Sequence, residues 1–233
     1  EHILKTLDNI SIDAVIIIHS PDAKNDFEEE LRDHENITYV EQKEALGTAQ
    51  ALKTALPHVS TDNLLVLLGD VPLLSELTLT RLKEELQKNQ IAVLTGTVTD
   101  PDGYGRIHKD NNGIPIAIIE EIDCDDDQRK IKEINSGIMA FNTNIAKNLV
   151  EKIELNPKKN EYYLTDAIEI AYHEGIRAIT YSTSEEEVFG VNSKIDLAEA
   201  EKIKRKNIAD DLMENGVTII DPSRIDVRGT LTC

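Results

Sequence analysis

Residues 63–73, Asn-Leu-Leu-Val-Leu-Leu-Gly-Asp-Val-Pro-Leu, are the stretch of sequence that decides the fold. A short apolar run that is ended by Gly and Pro is typical of a buried strand, and we predict one over residues 64–68. In open α/β sheets, ligands bind beyond the carboxyl ends of the strands. Asp70 follows this strand, where a carboxylate can hold a divalent cation over phosphates. Its alternative role is to cap the turn before Pro72.

Apolar runs of strand length alternate with amphipathic runs of helix length along the rest of the chain. The run at 14–18 shows no polar alternation, as expected of a strand that is buried on both faces. Repeated strand–helix–strand order implies an α/β fold with a mostly parallel mixed sheet and helices on both faces. Further strands are predicted at 37–40, 91–98, 114–119, 134–141 and 178–181, and helices at 27–31, 48–56, 77–86, 145–153, 164–173 and 196–215.

The composition limits the possible partners. The 233 residues include 25 Lys+Arg and 44 Asp+Glu, which gives a formal net charge of -19. A general nucleic-acid binder needs a basic face, so we expect no nucleic acid. If phosphates bind, Mg²⁺ or a locally basic loop must offset the field of the protein. No apolar run approaches the length of a membrane span, and no signal peptide is visible, so we expect no membrane partner.

The cysteines indicate the redox compartment. Cys124 and Cys233 lie far apart in the sequence and have no CxxC spacing. This usage favours a reduced, cytoplasmic protein over a disulfide scaffold.

Two segments in the first half of the chain could contact a ligand. Gly47 and Thr48 start a predicted helix, where free N–H groups and the helix dipole favour polar or anionic ligands. Gln42 offers a donor and an acceptor, which suits the edge of a nucleobase. An ordinary helix N-terminus is the alternative. Gly103 and Gly105 flank a tyrosine and allow a close backbone approach to a ligand, or a plain turn.

Three polar residues in the second half are further candidates. Glu120 ends a predicted strand and could accept hydrogen bonds from sugar hydroxyls, or it could be a solvated acid. Asn135 lies in an apolar strand, where an amide is costly to bury without a partner. That partner could be a ligand group or a neighbouring backbone group. Asn192 precedes the long C-terminal helix and could cap it or ligate Mg²⁺.

Each of these signals is weak alone, but their order resembles one known family. It is the pyrophosphorylase half of the bacterial bifunctional N-acetylglucosamine-1-phosphate uridyltransferase / glucosamine-1-phosphate N-acetyltransferase. The resemblance covers essentially the whole chain and implies a Rossmann-like nucleotide-diphospho-sugar transferase fold. The matching motifs are Gln42 with Leu46-Gly47-Thr48, Gly69-Asp70-Val71-Pro72, Gly103-Tyr104-Gly105-Arg106-Ile107, Glu133-Ile134-Asn135-Ser136-Gly137-Ile138, Glu161-Tyr162-Tyr163-Leu164-Thr165-Asp166 and Gly190-Val191-Asn192.

The resemblance implies roles for individual residues at the metal and at the sugar. Asp70 and Asn192 would hold Mg²⁺, and Asp70 would be the catalytic residue. Gly105, Glu120 and Asn135 would contact the N-acetylglucosamine.

The same resemblance implies the nucleotide contacts. Gln42, Gly47 and Thr48 would contact the uracil. Leu68 and Gly69 would line the nucleotide site beside the metal, although the family often has an aromatic residue at the position of Leu68.

The activity that the resemblance implies is transfer of UMP from UTP to N-acetylglucosamine 1-phosphate. The products would be UDP-N-acetylglucosamine, a bacterial cell-wall precursor, and pyrophosphate. Positioning and charge neutralisation would supply the rate. Another sugar-1-phosphate nucleotidyltransferase and a non-catalytic nucleotide-sugar-binding module are the alternatives. Thr165 and Asp166 would lie near the sugar, unless Asp166 caps the following helix.

The domain boundaries follow from the same resemblance. Residues 1–217 would be the uridyltransferase domain, without the Gly-rich loop of the type Leu-Ala-Ala-Gly-x-Gly-Thr-Arg-Met with which the family opens. Residues 218–233, with Asp221-Pro222 and Arg228-Gly229-Thr230-Leu231, would be a linker and the first turn of a left-handed β-helix. That β-helix would carry the acetyltransferase and form a homotrimer. Because the missing loop supplies positive charge at the phosphates, we expect this chain alone to be nearly inactive.

Overall fold

The computed structural model describes residues 2–32, 34, 36–227, 229 and 231. Within them lie seven α-helices and eight strands, joined by short loops and 3₁₀ turns. The helices are α1 (His2–Asp8), α2 (Lys24–Glu30), α3 (Thr48–Ala55), α4 (Glu76–Lys88), α5 (Thr143–Val150), α6 (Asp166–His173) and α7 (Lys194–Glu214). The strands are β1 (Val15–His19), β2 (Ile37–Glu41), β3 (Asn63–Val66), β4 (Ile91–Thr97), β5 (Arg106–Lys109), β6 (Pro115–Ile119), β7 (Glu133–Asn142) and β8 (Ala178–Thr183).

Strand β7 organises the main sheet, whose order is β6-β5-β7-β4-β8 with β3 also paired to β7. One edge of β7 pairs with β4 along most of its length. The other edge is shared, because β5 pairs with its beginning at Ile134 and β3 pairs with its end from Met139 to Asn142. Residues 135–138 therefore face a gap between β3 and β5.

The predicted mixed sheet is confirmed, but most of its neighbouring strands pair antiparallel, whereas the expectation was a mostly parallel sheet. Strands β3, β4, β5 and β8 run in one direction, and β6 and β7 run in the other. Because β7 lies between strands of the opposite direction, only β1–β2 and β4–β8 are parallel pairs within the described residues. Parallel neighbours need a long crossover connection, whereas the five residues between β5 and β6 are enough only for an antiparallel hairpin.

Helices cover both faces of the sheet, as predicted. Strand β4 shows this, because its residues 91–94 alternate between two apolar clusters and are fully buried. Ile91 and Val93 pack with residues of α3, α5 and α6. Ala92 and Leu94 pack with residues of α1 and α4. Burial of each large aliphatic side chain stabilises the fold by about 1.5–3 kcal/mol, so these two clusters fix the sheet between its helices.

Strand β3 is shorter than predicted, and β5 was not predicted. The expected strand at 64–68 ends at Val66, although residues 67 and 68 are also Leu. The cause lies in β7, where Gly137 has a left-handed φ of 77° and the register against β4 shifts between Val93 and Thr95. The irregular backbone of β7 interrupts the ladder beyond Val66, and residues 67 and 68 leave the sheet, although the side chain of Leu68 still lies against Gly137. The sequence of β5 is Arg-Ile-His-Lys, so three of its four residues are polar and the apolar run that indicates a strand is absent.

Gly216 terminates the C-terminal helix α7 as predicted, since it follows the C-cap Asn215 with a left-handed φ of 95°. The N–H of Gly216 bonds to the oxygen of Met213 and that of Val217 to the oxygen of Leu212, which is a Schellman motif. After it, a 3₁₀ turn spans Pro222–Arg224. Four residues of the expected β-helix turn, Arg228, Thr230, Thr232 and Cys233, lie outside the described residues, so the domain division remains a prediction. No helix in the described ranges has the length and apolar character needed to cross a bilayer.

Candidate active site

A cavity of about 300 Å³ occupies the gap between β3 and β5, beside residues 135–138 of β7. Its wall comes from segments that are far apart in the sequence, including the turn after β3, the loop before β5 and the loop before α7. Seven of the ten predicted site residues line it, namely Thr48, Leu68, Asp70, Gly105, Glu120, Asn135 and Asn192. The other three, Gln42, Gly47 and Gly69, lie beside this wall or behind it. The sequence therefore identified segments that the fold brings to one cavity.

Asp70 and Asn192 form one end of the cavity, which we call the Asp70 end. A backbone hydrogen bond holds it together, since the N–H of Val191 donates to the main-chain oxygen of Asp70 at 2.7 Å. The Asp70 carboxylate is exposed and accepts no hydrogen bond from the described residues. The sequence left open that Asn192 caps α7, but Ser193 is the cap, and its Oγ accepts the N–H of Asp196 at 3.2 Å. The amide of Asn192 is therefore available to a ligand.

The donor set at the Asp70 end suits Mg²⁺. Among the described residues, no group of three or more His, Cys, Asp or Glu side chains is arranged to hold a metal. Mg²⁺ is commonly bound by one or two carboxylates together with waters and substrate phosphates, and it prefers oxygen ligands. Asp70 and Asn192 offer two side-chain oxygens of this kind without internal partners. The residues fit a magnesium ion that is completed by phosphate oxygens.

Gly105, Glu120 and Asn135 form a second group on the cavity wall, which we call the Glu120 end. The N–H of Asn135 donates to the oxygen of Gly105 at 2.8 Å, which joins β7 to the loop before β5. A Cβ on Gly105 would lie 3.1 Å from Ile118 and 3.5 Å from Oε2 of Glu120. Glycine at this position therefore lets the carboxylate of Glu120 stay close to the backbone.

The side chain of Asn135 is 9% exposed and has one internal partner. Its Oδ1 accepts the N–H of Gly137 at 3.1 Å, which is the backbone alternative that the sequence left open. Its Nδ2 donates no hydrogen bond to the described residues. One half of the amide is thus fixed by β7, and the other half is available to a ligand on the cavity side.

Carboxyl groups gather at the Glu120 end. Thr165 Oγ1 donates to Oε1 of Glu120 at 2.9 Å. Burial raises the pKa of Glu120, with a further increase from Asp123, while the Thr165 hydrogen bond lowers it. The pKa of Asp166 is raised to about 6, mainly by burial and to a lesser extent by the nearby carboxyl groups of Glu120, Glu169 and Asp123. Asp166 is the first residue of α6 and Thr165 occupies the cap position, so capping by Asp166 is not observed.

Gly47 and Thr48 are fixed by the segment that precedes α6. Gly47 has a φ of 97°, and a Cβ there would lie 2.6 Å from the main-chain oxygen of Tyr162. Thr48 Oγ1 accepts the N–H of Leu164 at 3.0 Å. The start of α3 is therefore locked in place, with Thr48 exposed on the cavity wall.

Gln42 follows β2 and braces this loop. Its Nε2 donates to the oxygen of Gly47 at 3.2 Å and to Oε1 of Gln50. Its Oε1 accepts no hydrogen bond within the described part of the chain. Gln42 does not line the cavity, so its predicted contact with a base remains a prediction.

Leu68 lines the cavity by packing on β7. A Cβ at Gly137 would overlap the side chain of Leu68, which shows how closely the leucine lies on the glycine. Sequence reasoning missed three apolar wall residues, Val66, Met139 and Val188. Nothing in their own sequence neighbourhood distinguishes them from core residues, and Met139 and Val188 are themselves only 1% exposed.

Comparison with known proteins identifies the family. The sequence profile described as Nucleotidyl transferase matches residues 1–196. The "Bifunctional protein GlmU" of Francisella tularensis subsp. novicida (strain U112) is 38% identical over 232 residues, which are 99% of this chain and 50% of that protein. Proteins of the same name from two other subspecies, tularensis (strain WY96-3418) and mediasiatica (strain FSC147), match with the same identity and coverage. The chain thus spans about half the length of these relatives.

Solved structures share the fold at low sequence identity. The inositol-1-phosphate CTP transferase of T. maritima superposes with a TM-score of 0.66 at 14% identity and covers 84% of this chain and 76% of its own. The 4-diphosphocytidyl-2C-methyl-D-erythritolsynthase of Anaerococcus prevotii DSM 20548 gives 0.61 at 16% identity, covering 85% and 82%. These likenesses concern the fold, and the α/β architecture is confirmed by them. With the profile matching most of the sequence, the chain belongs to the nucleotidyl transferase family.

Proposed function

We propose that the protein to which this chain belongs transfers UMP from UTP to N-acetylglucosamine 1-phosphate, giving UDP-N-acetylglucosamine and pyrophosphate. One observation supports this best. At the Asp70 end, the cavity has side-chain oxygens that are free to ligate a metal ion bound to phosphate. At the Glu120 end, it has polar groups suited to sugar hydroxyls. A single ligand with a phosphate and a sugar would engage both ends. The order of motifs along the sequence supports uracil and N-acetylglucosamine over other bases and sugars.

The proposed step needs no covalent intermediate with the protein. An oxygen of the sugar 1-phosphate attacks the α-phosphorus of UTP and forms a new P–O bond. The bond from the α-phosphorus to the bridging oxygen breaks, and its electron pair leaves with pyrophosphate. Catalysis then depends on holding the two phosphates in line and on stabilising the charge that develops on their oxygens.

The Asp70 end would provide the charge balance. Asp70 and Asn192 would hold Mg²⁺, which, when bound, neutralises phosphate charge and acts as a Lewis acid. The hydrogen bond from Val191 to Asp70 keeps the two ligands together before substrate arrives. This preorganisation is needed because the net charge of -19 otherwise opposes anionic substrates.

The Glu120 end would select the sugar. The carboxylate of Glu120 would accept hydrogen bonds from sugar hydroxyls, in a direction fixed by Thr165. The free Nδ2 of Asn135 would donate to a sugar oxygen or to the acetamido carbonyl. The backbone at Gly105 lets the ring approach closely.

The base would be bound beside the start of α3. Gln42 would pair with the uracil edge, and the N–H groups near Gly47 and Thr48 would complete the contact, with Leu68 and Gly69 beside the nucleotide. The rigid attachment of Gly47 and Thr48 to residues 162 and 164 supports a fixed base pocket.

The remaining parts of the proposal concern the whole protein. Residues 1–217 would be the uridyltransferase domain, and 218–233 would lead into a β-helix that forms a homotrimer and carries an N-acetyltransferase. The word "bifunctional" in the name of the relatives, of which the chain covers 50%, supports a second activity elsewhere. A cytoplasmic location and a role in cell-wall precursor synthesis belong to the same proposal.

Pyrophosphate release tests the proposal. The full-length protein is assayed with Mg²⁺, each of UTP, CTP and dTTP, and either N-acetylglucosamine 1-phosphate or glucose 1-phosphate. We expect the highest kcat/KM with UTP and the N-acetylated sugar. Preference for another pair would assign a different sugar-1-phosphate nucleotidyltransferase, and binding without turnover would indicate a nucleotide-sugar-binding module. Residues 1–233 alone should show almost no turnover, because they contain no basic Gly-rich loop.

A further inference from the structure

Arg106 is a buried arginine to which the proposed reaction gives no role. It begins β5 directly after Gly105 of the Glu120 end, and it is 0% exposed. Taking a charged group out of water costs several kcal/mol unless the group is paired and hydrogen-bonded. The reason for keeping a guanidinium here must therefore lie in what it binds.

The guanidinium has two close partners. Its Nη2 donates to Oε2 of Glu121 at 2.6 Å, and its Nη1 donates to the main-chain oxygen of Tyr104. Asp102 lies 4.0 Å away but is 85% exposed, and exposed ion pairs contribute little. The Nε of Arg106 is buried without a partner in the described residues. Within the described residues, the guanidinium is thus held mainly by Glu121 and Tyr104.

Glu121 divides its carboxylate between two arginines. Oε2 binds Arg106, and Oε1 binds Arg129, which is 46% exposed. We call Arg106, Glu121 and Arg129 the arginine clamp. Because Arg106 is fully buried and Arg129 is half exposed, breaking the Arg106–Glu121 pair should destabilise the protein more than breaking the Arg129–Glu121 pair.

The clamp joins two segments of the cavity wall without lining the 300 Å³ cavity itself. Tyr104 and Gly105 lie in the loop before β5, and Glu120 follows β6. The hairpin register places Arg106 opposite Ile119, so the ion pair closes the end of the hairpin that faces the cavity. Each partner of the guanidinium is adjacent in sequence to Gly105 or Glu120.

We propose that Arg106 is a positioning residue for the Glu120 end. Through Tyr104 and Glu121 it fixes the backbone of Gly105 and the direction of the Glu120 carboxylate, and so sets the shape of the sugar subsite. For the identity of the sugar, this inference rests on the proposed function.

Kinetics of three variants test the inference in the full-length protein. Arg106→Met removes both hydrogen bonds, and Arg106→Lys keeps the charge but cannot reproduce the planar fork. Both should raise the KM for N-acetylglucosamine 1-phosphate at least tenfold and leave the KM for UTP within twofold. The control is Lys206→Met, which breaks an exposed ion pair with Asp210 on α7 and should change neither KM. Equal increases in both KM values would overturn the inference.

A second pair of variants separates positioning from folding. Glu121→Gln leaves the buried guanidinium without a carboxylate and should lower the melting temperature. Adding Arg106→Met removes the buried charge and should restore much of that loss. The double variant should nevertheless keep the raised KM for the sugar phosphate, because the link that Arg106 makes between Tyr104 and residue 121 is still missing. Recovery of this KM together with the melting temperature would make the clamp a stability element only.

Amide hydrogen exchange gives a readout that does not depend on the reaction. In Arg106→Met, residues 102–105 and 119–124 should exchange at least tenfold faster, while residues 37–41 of β2 should be unchanged. Unchanged exchange at 102–105 would disprove the clamp. If the wild-type protein releases no pyrophosphate from UTP and the sugar phosphate, the proposed function fails, and the exchange result still decides whether Arg106 positions the wall.

Discussion

Gly137 is the position where the structure allows a substitution to be costed in most detail. It lies inside β7 with a φ of 77°, and a Cβ there would overlap the side chain of Leu68. Gly137→Ala therefore has two costs. The left-handed conformation costs an alanine about 1–2 kcal/mol, and overpacking against Leu68 costs about 1–3 kcal/mol. We expect the free energy of unfolding to fall by about 2–5 kcal/mol, a large share of the stability of a typical domain.

The chain offers a control for each cost. Gly113, in the β5–β6 hairpin, has a φ of 80°, and a Cβ there would meet nothing within 4 Å. Gly113→Ala should therefore lose only the conformational part, about 1–2 kcal/mol. Conversely, Leu68→Ala in the Gly137→Ala background removes the overlap and keeps the conformational cost.

The assay is urea unfolding of the wild type, of Leu68→Ala, of Gly137→Ala and of the double variant, which together form a double-mutant cycle. The kcat/KM of each protein is measured alongside. The double variant Leu68→Ala/Gly137→Ala should be more stable than the sum of the single effects predicts, by about 1–3 kcal/mol. Activity should fall in Gly137→Ala and in the double variant, because the bend of β7 at this residue forms the floor of the cavity. Additive effects within about 0.5 kcal/mol would refute the reasoning, since they would mean that Leu68 moves away without cost.

Four further predictions concern single side chains. Asp70→Asn should remove most activity with an unchanged circular dichroism melt, since an amide keeps the shape but loses the charge; activity within a few-fold of wild type would leave Asp70 as a turn residue. Asn135→Ala should raise the KM for N-acetylglucosamine 1-phosphate about ten- to hundredfold, equivalent to about 1–3 kcal/mol, and an equal effect on UTP would count against the sugar contact. Gln42→Ala should narrow the kcat/KM preference for UTP over CTP and dTTP; unmoved ratios would exclude Gln42 from the base pocket. Because the pKa of Asp166 is raised in the folded state from 3.8 to about 6, its protonated form favours folding below about pH 4, and this contribution is lost as the pH rises through 6. Asp166→Asn should therefore be more stable than wild type in chemical unfolding at pH 7, with the difference disappearing at pH 4, and a pH-independent difference would argue against the raised pKa.

Local patterns made much of the architecture predictable. The apolar run at 91–98 specified β4, because each face of a strand that is buried on both sides needs apolar residues. The run before Asp70 specified the turn at the carboxyl end of β3, and with it the residue placed at the cavity. The Schellman ending at Gly216 followed from a single glycine after a helical pattern.

The features that could not be predicted depend on contacts between distant segments. The direction of β7 follows from its pairing with β3, β4 and β5, which precede it by tens of residues. Val66 and Met139 face the cavity only because β7 bends at Gly137. The motif containing Arg106 was recognised, but its burial against Glu121 depends on the hairpin register. Sequence spacing contains none of this information.

The shared edge of β7 also has a consequence for the order in which the molecule can fold. Strand β3 is synthesised before β4, β5 and β6, yet its ladder partner among the described residues is β7, which comes later than all of them. Pairing over such a sequence distance is slow, and an unpaired edge is open to wrong partners while it waits. A nascent chain that ends before Asn142 therefore exposes the apolar edge of β3 and has no cavity floor. We therefore expect the ability to bind a ligand to arise only after β7 has paired with β3 and β4.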